Sequence, residues 1–336
     1  MTATTAGPET ATEADTVTRV PPGMAHDIDA HQGWALTAHP PGPARARAVD
    51  LVFLHGMAAG GWVWPEAWIA AFTGAGYRCW TLSLPGRSGG AVRAGGPEAV
   101  DRALAHVAAT GDAAGALDML AAALPGAPAL DGPRLDDYAD TLAAALDQIG
   151  RPAVAVCHSL GGAVAQCLMK RGAAPAGTVL MASVPPYGTW RAAAEMAVLN
   201  PQLWQTLARF SLFGPSAADP AVMRENFFPN GIGAAEFDRV AEGLRDESLA
   251  ASLQAMGLPP FAPWPGPRRD VMVMGGGRDR IVPVTDVMLT GAYYGVVPDI
   301  LPEAGHMIMR EDIAGAAVAR ILAWLADREE RTPQAA

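Results

Sequence analysis

Residues 153–169 read AVAVCHSLGGAVAQCLM. The stretch begins as a run of small apolar residues, breaks at His158 and Ser159, and resumes in a helix-like pattern through two glycines. A short, continuous apolar run fits a strand buried on both faces, and such strands belong to parallel sheets covered by crossover helices. A serine at the end of such a strand, directly before a helix, stands where open α/β sheets bind their ligands. The glycines let the helix approach the sheet, and the sharp turn drives the serine side chain out of the path of the chain. The helix N-terminus is then aimed at whatever lies over the serine. A simple N-cap is the plainer use of a serine before a helix, so the rest of the chain must decide between the two.

Working outward, five more apolar runs have the same character: VDLVFLHG (49–56), YRCWTLSLPG (77–86), GTVLMAS (177–183), DVMVMGG (270–276) and GVVPDILP (295–302). The stretch HDIDAHQGWALTAHP (26–40) supplies an antiparallel pair at one edge. The fold class is therefore α/β, a mostly parallel sheet of about eight strands flanked by helices. Helices are predicted at Pro65–Ala75, Leu135–Gly150, Leu160–Gly172 and Glu311–Glu329, the last with Ile313, Ala317, Ile321 and Leu325 along one face. Two stretches break the alternation. Residues 88–134 are rich in Ala, Gly and Pro with weak helical signals, and residues 185–265 carry several helices and the Pro-rich exit GLPPFAPWPGP. The expected organisation is a disordered leader over 1–24 and one core built from 25–184 and 266–336. The 88–134 stretch is an insertion in that core, and 185–265 is a helical lid inserted after strand 6.

Composition bounds the rest. Half of the 336 residues are hydrophobic and 17% are charged, the profile of a core-rich globular chain. A net charge of −10 argues against nucleic acid or an anionic membrane as partner, because both reward clustered Lys and Arg. The three cysteines, Cys79, Cys157 and Cys167, are too few and wrongly spaced for a zinc cage or a disulfide framework, so no metal site is read. The leader lacks the apolar core of a signal peptide, and no stretch is long and apolar enough to span a bilayer. A cytoplasmic location is the expectation. Oligomeric state is not legible.

Two further polar residues change the weight on Ser159. GGGRDRIVP (275–283) places Asp279 just after one apolar run, and EAGHMIM (303–309) places His306 just after the next. An Asp in a Gly-rich loop is usually a turn residue, and a lone His is usually structural. The ordered trio Ser159, Asp279, His306, each at the C-terminal end of a separate predicted strand, is far more specific than any member.

From about residue 25 to the final helix, the two insertions excepted, the sequence resembles the α/β-hydrolase fold superfamily, in its serine-nucleophile, esterase and hydroxynitrile-lyase-like branch. The G-x-S-x-G elbow appears as Cys157-His158-Ser159-Leu160-Gly161, departing at its first glycine. The family's His-Gly loop appears in LHGMAAGGWVW (54–64), and LSLPGR (82–87) resembles its Asp-x-x-Gly-x-Gly loop. The resemblance implies Ser159 as nucleophile, His306 as general base and Asp279 as its orienting acid. It implies the backbone N–H groups of Met57 and Leu160 as the oxyanion hole. His55, Gly56, Trp62, Trp64 and His158 are the substrate-side candidates. For His55 the competing reading is that it orders its own loop, for the tryptophans that they pack in the core, and for His158 that it points away from the nucleophile. Cys157 and Cys167 read as small buried hydrophobes. Trp190, Trp204, Phe210, Phe213, Phe227 and Phe228 suit either an apolar substrate or the lid's own core, and Arg191 and Arg224 either an acidic substrate or the surface.

The first function this implies is hydrolysis of a carboxylic ester, lactone or thioester of a small, largely apolar molecule, with no cofactor. A second keeps the scaffold as a lyase or eliminase of natural-product, polyketide-like chemistry, with His306 as general base and Ser159 as a proton relay. A third is a small-molecule receptor on the same fold.

Overall fold

The computed structural model describes residues 33–86, 132–257, 260–262 and 270–331, with isolated positions between 102 and 119. Seven strands lie among them: β1 (Ala35–His39), β2 (Asp50–Leu54), β3 (Cys79–Ser83), β4 (Ala153–His158), β5 (Gly177–Met181), β6 (Val271–Gly276) and β7 (Asp299–Leu301). They form one sheet in the order β1-β3-β2-β4-β5-β6-β7, with β1 antiparallel to β3 and every other pair parallel. The edge expected as an antiparallel pair contributes one strand among the described residues. By this count the helical segment placed after strand 6 follows β5. The leader and most of the 88–134 insertion lie outside the described residues.

The alternation of side chains explains why the strands are apolar on both faces. On one face Leu51 and Phe53 of β2 and Val154 and Val156 of β4 pack against α1 (Glu66–Gly74), through Trp68 and Phe72, and against α10 (Ala314–Arg331), through Ile321 and Leu325. On the other face Val52, Leu54, Ala153, Ala155 and Cys157 meet α2 (Leu135–Ile149) and α3 (Leu160–Lys170). Small residues on that side of β4 let α3 lie close. The other helices described over their full span are α4 (Trp190–Leu199), α5 (Pro201–Phe213), α6 (Pro220–Phe227), α7 (Ala234–Gly243) and α8 (Leu249–Ala255), all between β5 and β6, and α9 (Val284–Tyr294) between β6 and β7. The last helix begins at Ala314, later than the pattern predicts. The chain before it forms a 3-10 turn over Ile308–Arg310, and the Glu311 side chain is engaged elsewhere.

Strand order reverses direction about β2. The chain runs from β2 outward to β3, then returns to lay β4 on the other side of β2. That reversal opens a crevice above the C-terminal ends of β2 and β4. Residues 55–57 follow one strand and Ser159 follows the other, so the sheet topology sets them side by side.

Phe53 is fully buried and holds Trp64 and Phe72 at ring-centroid distances of 5.1 and 5.4 Å. Phe53→Ala is expected to lower the free energy of unfolding by about 3–5 kcal/mol. Val297→Ala, at a side chain 93% exposed, should leave it within about 0.5 kcal/mol. Urea unfolding of both variants checks the pair.

Candidate active site

Ser159 is one of three non-glycine residues with positive φ among those described, at φ 52° and ψ −117°. The strain is over-determined by its surroundings. Its N–H donates to Met181 O at 3.1 Å, and its carbonyl accepts from Gly162 N at 3.0 Å and Val184 N at 3.1 Å. Gly162 has no room for a side chain, since a Cβ there would overlap Ser183 Oγ. Behind the turn, fully buried Gln166 donates through Nε2 to Gly162 O (3.1 Å), Ser183 Oγ (3.2 Å) and Val184 O (2.8 Å), while Tyr294 Oη donates to its Oε1. The end of β5 and the start of α3 are thereby tied together under the serine.

The three polar residues set apart by strand position are brought together. His306 Nε2 lies 3.2 Å from Ser159 Oγ, and His306 Nδ1 lies 2.8 Å from Asp279 Oδ2. The carboxylate can only accept, so Nδ1–H donates to it and the Nε2 lone pair faces the serine hydroxyl. The other Asp279 oxygen accepts from Ile281 N (2.8 Å) and Val282 N (2.9 Å), which fixes its direction. Phe227 sets its ring edge-on to the imidazole at 5.4 Å. A serine whose proton has an aligned acceptor, itself oriented by a buried carboxylate, has the geometry of an activated nucleophile.

Across from it, Gly56 meets the side chains of the turn closely, for a Cβ there would stand 3.0 Å from both Ser159 Cβ and His158 Nδ1. The N–H groups of Met57 and Leu160 have no protein acceptor among the described residues. Leu160 opens α3, where the first amides of a helix lack intrahelical partners. Met57, Ser159 and His306 open onto a cavity of about 650 Å³, whose mostly apolar wall includes Trp62, Phe210 and Phe227.

Other sequence candidates fall elsewhere. His55 is fully buried; its Nδ1–H donates to Gly56 O at 2.8 Å and its Nε2 accepts from Leu84 N at 3.0 Å. It orders the loop and does not line the cavity. Trp64 packs in the core beside Phe53, whereas Trp62 does line the cavity. His158 touches the cavity wall, and its Nε2–H donates to the His306 carbonyl at 3.0 Å. Burial, with the neighbouring His306 ring as the next contribution, drives the His158 pKa down to about 3, so it remains a neutral donor. Burial likewise pushes the Cys157 thiol far up and the Cys167 thiol up to about 12, which leaves neither nucleophilic. Of the aromatics between β5 and β6, Phe210, Phe227, Phe228 and Phe237, the last not singled out in the sequence, reach the cavity, Phe213 is buried, and Trp190 is 46% exposed. Arg191 is spent on Asp286 and Glu195, and Arg224 on the Ile232 carbonyl.

Sequence reasoning missed two supports. Glu311 is buried and takes the Gly305 N–H on its carboxylate at 3.0 Å, with Asn230 Nδ2 donating to it at 2.8 Å. Burial raises its pKa, against the pull of those donors. The peptide leading into His306 is thus held from behind. The second support, Glu247, binds the loop at residues 56–59. Neither stands in a spacing that marks it, because an acidic residue beside a helix start is usually solvated.

The sequence pattern of the alpha/beta hydrolase family matches residues 51–321, most of the chain. The chain belongs to the alpha/beta hydrolase family. No curated protein matches it closely enough to report. Among solved structures, the enzyme is similar to the N-acyl homoserine lactonase AidH complexed with N-butanoyl homoserine (16% identity, TM-score 0.57, covering 94% of this chain and 100% of that one). It is also similar to the esterase EaEST from Exiguobacterium antarcticum (14%, TM-score 0.55, 90% and 98%). A carboxylesterase from the thaumarchaeon Nitrososphaera gargenis is a third such structure (13%, TM-score 0.55, 92% and 100%). At these identities the likeness is one of fold. No helix among the described residues is long and apolar enough to cross a membrane.

The depressed pKa of His158 has a consequence for acid stability. The unfolded chain takes up this proton near pH 6.5 and the folded enzyme only near 3, so the unfolded state binds more protons in that window and stability falls as pH falls through it. The enzyme should lose on the order of 1 kcal/mol for each pH unit below about 6.5 from this group. Urea unfolding at pH 7 and pH 5 should show a smaller loss in His158→Gln. An equal loss in both proteins would mean that His158 is not buried neutral.

Proposed function

We propose that the enzyme is a serine hydrolase that cleaves a carboxylic ester, lactone or thioester of a small, largely apolar molecule. The observation that carries this is the hydrogen-bonded line Ser159–His306–Asp279, opening onto a mostly apolar cavity beside two backbone N–H groups that have no protein acceptor among the described residues. Its family and the esterases and lactonase that share its fold support the hydrolytic choice.

In this reading Ser159 Oγ attacks the substrate carbonyl carbon while its proton passes to His306 Nε2. Asp279 holds the tautomer and stabilises the imidazolium. The carbonyl oxygen becomes an oxyanion in reach of the Met57 and Leu160 amides, with the N-terminus of α3 favouring the negative charge. Collapse breaks the bond to the leaving group, which takes the proton from His306. A water then gives its proton to His306 and its hydroxyl to the acyl carbon; the bond to Ser159 Oγ breaks, His306 Nε2 returns that proton to Oγ, and the acid departs. Each step uses groups already in place and needs no cofactor. The helices of 185–265 act as the lid: α5, α6 and α7 supply the cavity wall, and their side chains set which acyl groups fit.

Ser159→Ala and His306→Ala should each lower kcat on a p-nitrophenyl acyl ester by about 10⁴-fold or more, and Asp279→Asn by a similar factor. Steady-state kinetics with acyl chains of increasing length checks this. Turnover that survived Ser159→Ala would exclude the acyl-enzyme route and favour chemistry in which His306 alone moves the proton.

A further inference from the structure

The loop that carries the Met57 amide is held from the sheet side by His55, at the end of β2, and from the other side by the helical segment. Ala58, the next residue, is fully buried and sits at φ 57°, a backbone angle unfavourable to a residue with a Cβ. Both polar groups of its backbone are taken by two closely spaced residues of the stretch joining α7 to α8. Its N–H donates to Glu247 Oε2 at 3.0 Å, and its carbonyl accepts from Arg245 N at 2.8 Å. Glu247 is itself buried, 2% exposed, and its other oxygen accepts from Tyr138 Oη of α2 at 2.7 Å and from its neighbour Ser248 N at 2.8 Å. Tyr138 is buried in the core, so the carboxylate cannot turn without breaking these bonds.

We infer that Glu247 is a positioning residue for the reaction. It fixes the peptide that follows Met57, while His55 holds the Gly56 carbonyl of the peptide that bears the Met57 N–H, so the two clamps together set the direction in which that N–H points. The inference rests on the hydrolytic reading above. A charged acceptor binds an amide more strongly than a neutral one, and here the bond is made where water is excluded. The same bond crosses from the helical segment to the loop at the mouth of β2, so displacement of residues 245–247 would release Ala58 and with it the donor. The cavity wall and the oxyanion site are therefore one unit: the segment that selects the substrate also completes the site that stabilises its transition state.

Two measurements on the full chain test this, comparing wild type with Glu247→Gln and Tyr138→Phe. Glu247→Gln keeps the shape of the side chain but turns half of the carboxylate into a donor facing the donors Tyr138 and Ser248. Tyr138→Phe leaves the charge and removes one anchor. The first measurement is amide hydrogen exchange. The Ala58 N–H should be strongly protected in wild type and lose about tenfold or more of that protection in Glu247→Gln, with a lesser loss in Tyr138→Phe and Val156 of β4 unchanged in both. The second is ester kinetics: kcat should fall about tenfold in Glu247→Gln with KM within about twofold, the signature of an interaction made in the transition state. An unchanged kcat, a kcat loss that merely tracks the unfolded fraction, or unaltered Ala58 protection would each overturn the inference. If wild type turned over no ester while Ala58 lost protection in Glu247→Gln, the hydrolytic reading would have failed and the clamp would remain. The two failures are thus separable.

Discussion

Ser159 is held at a positive φ that costs a non-glycine residue on the order of 1–3 kcal/mol, and the surrounding structure exists in large part to hold it there. The turn is feasible because β4 ends beside β2, because Gly162 lets α3 press against Ser183, and because Gln166 satisfies three acceptors at the seam. Once the serine stands above the sheet, strand order does the rest. The residues after β6 and β7 descend on one side as Asp279 and His306, and the loop after β2 faces them as Gly56 and Met57.

Buried polar side chains then fix each moving part separately. Asp279 is directed by two amides, the His306 peptide is gripped by Glu311 and by His158, and the Met57–Ala58 loop is gripped by Glu247. Each is a buried acceptor or donor whose partner is backbone, which exchanges the cost of desolvation for a fixed direction. Nothing in this arrangement relies on surface ion pairs. Those that occur, such as Arg171 with Asp136 or Arg47 with Glu329, tie helices to one another and to loops at the periphery.

The core and the residues proposed to react are legible in the sequence for a definite reason. Runs such as DLVFL and AVAVCH are apolar on both faces, and only a doubly covered parallel sheet gives them a use. Ser159, Asp279 and His306 then fall at strand ends, where such a sheet binds ligands. Legibility failed where the decision belonged to tertiary contacts. Trp62 and Trp64 are two residues apart in one loop, yet one faces the cavity and the other the core, and no periodicity separates them. His55 looked like a cavity residue by its place beside Gly56, but both ring nitrogens are used by backbone. Glu247 and Glu311 carried no mark at all, since a buried carboxylate is defined by amides far away in sequence. Of the edge expected as an antiparallel pair, residues 26–32 lie outside the described residues, and Ala35–His39 pairs antiparallel with β3.

The central claim is that Ser159 is an activated nucleophile, and covalent capture tests it without knowledge of the substrate. Intact mass after incubation with a small fluorophosphonate, on wild type and on Ser159→Ala, reads it directly. The account requires one adduct on wild type and none on the variant, with loss of a fluoride as the serine oxygen bonds to phosphorus. Folded wild type that took no adduct, or equal labelling of both proteins, would contradict it.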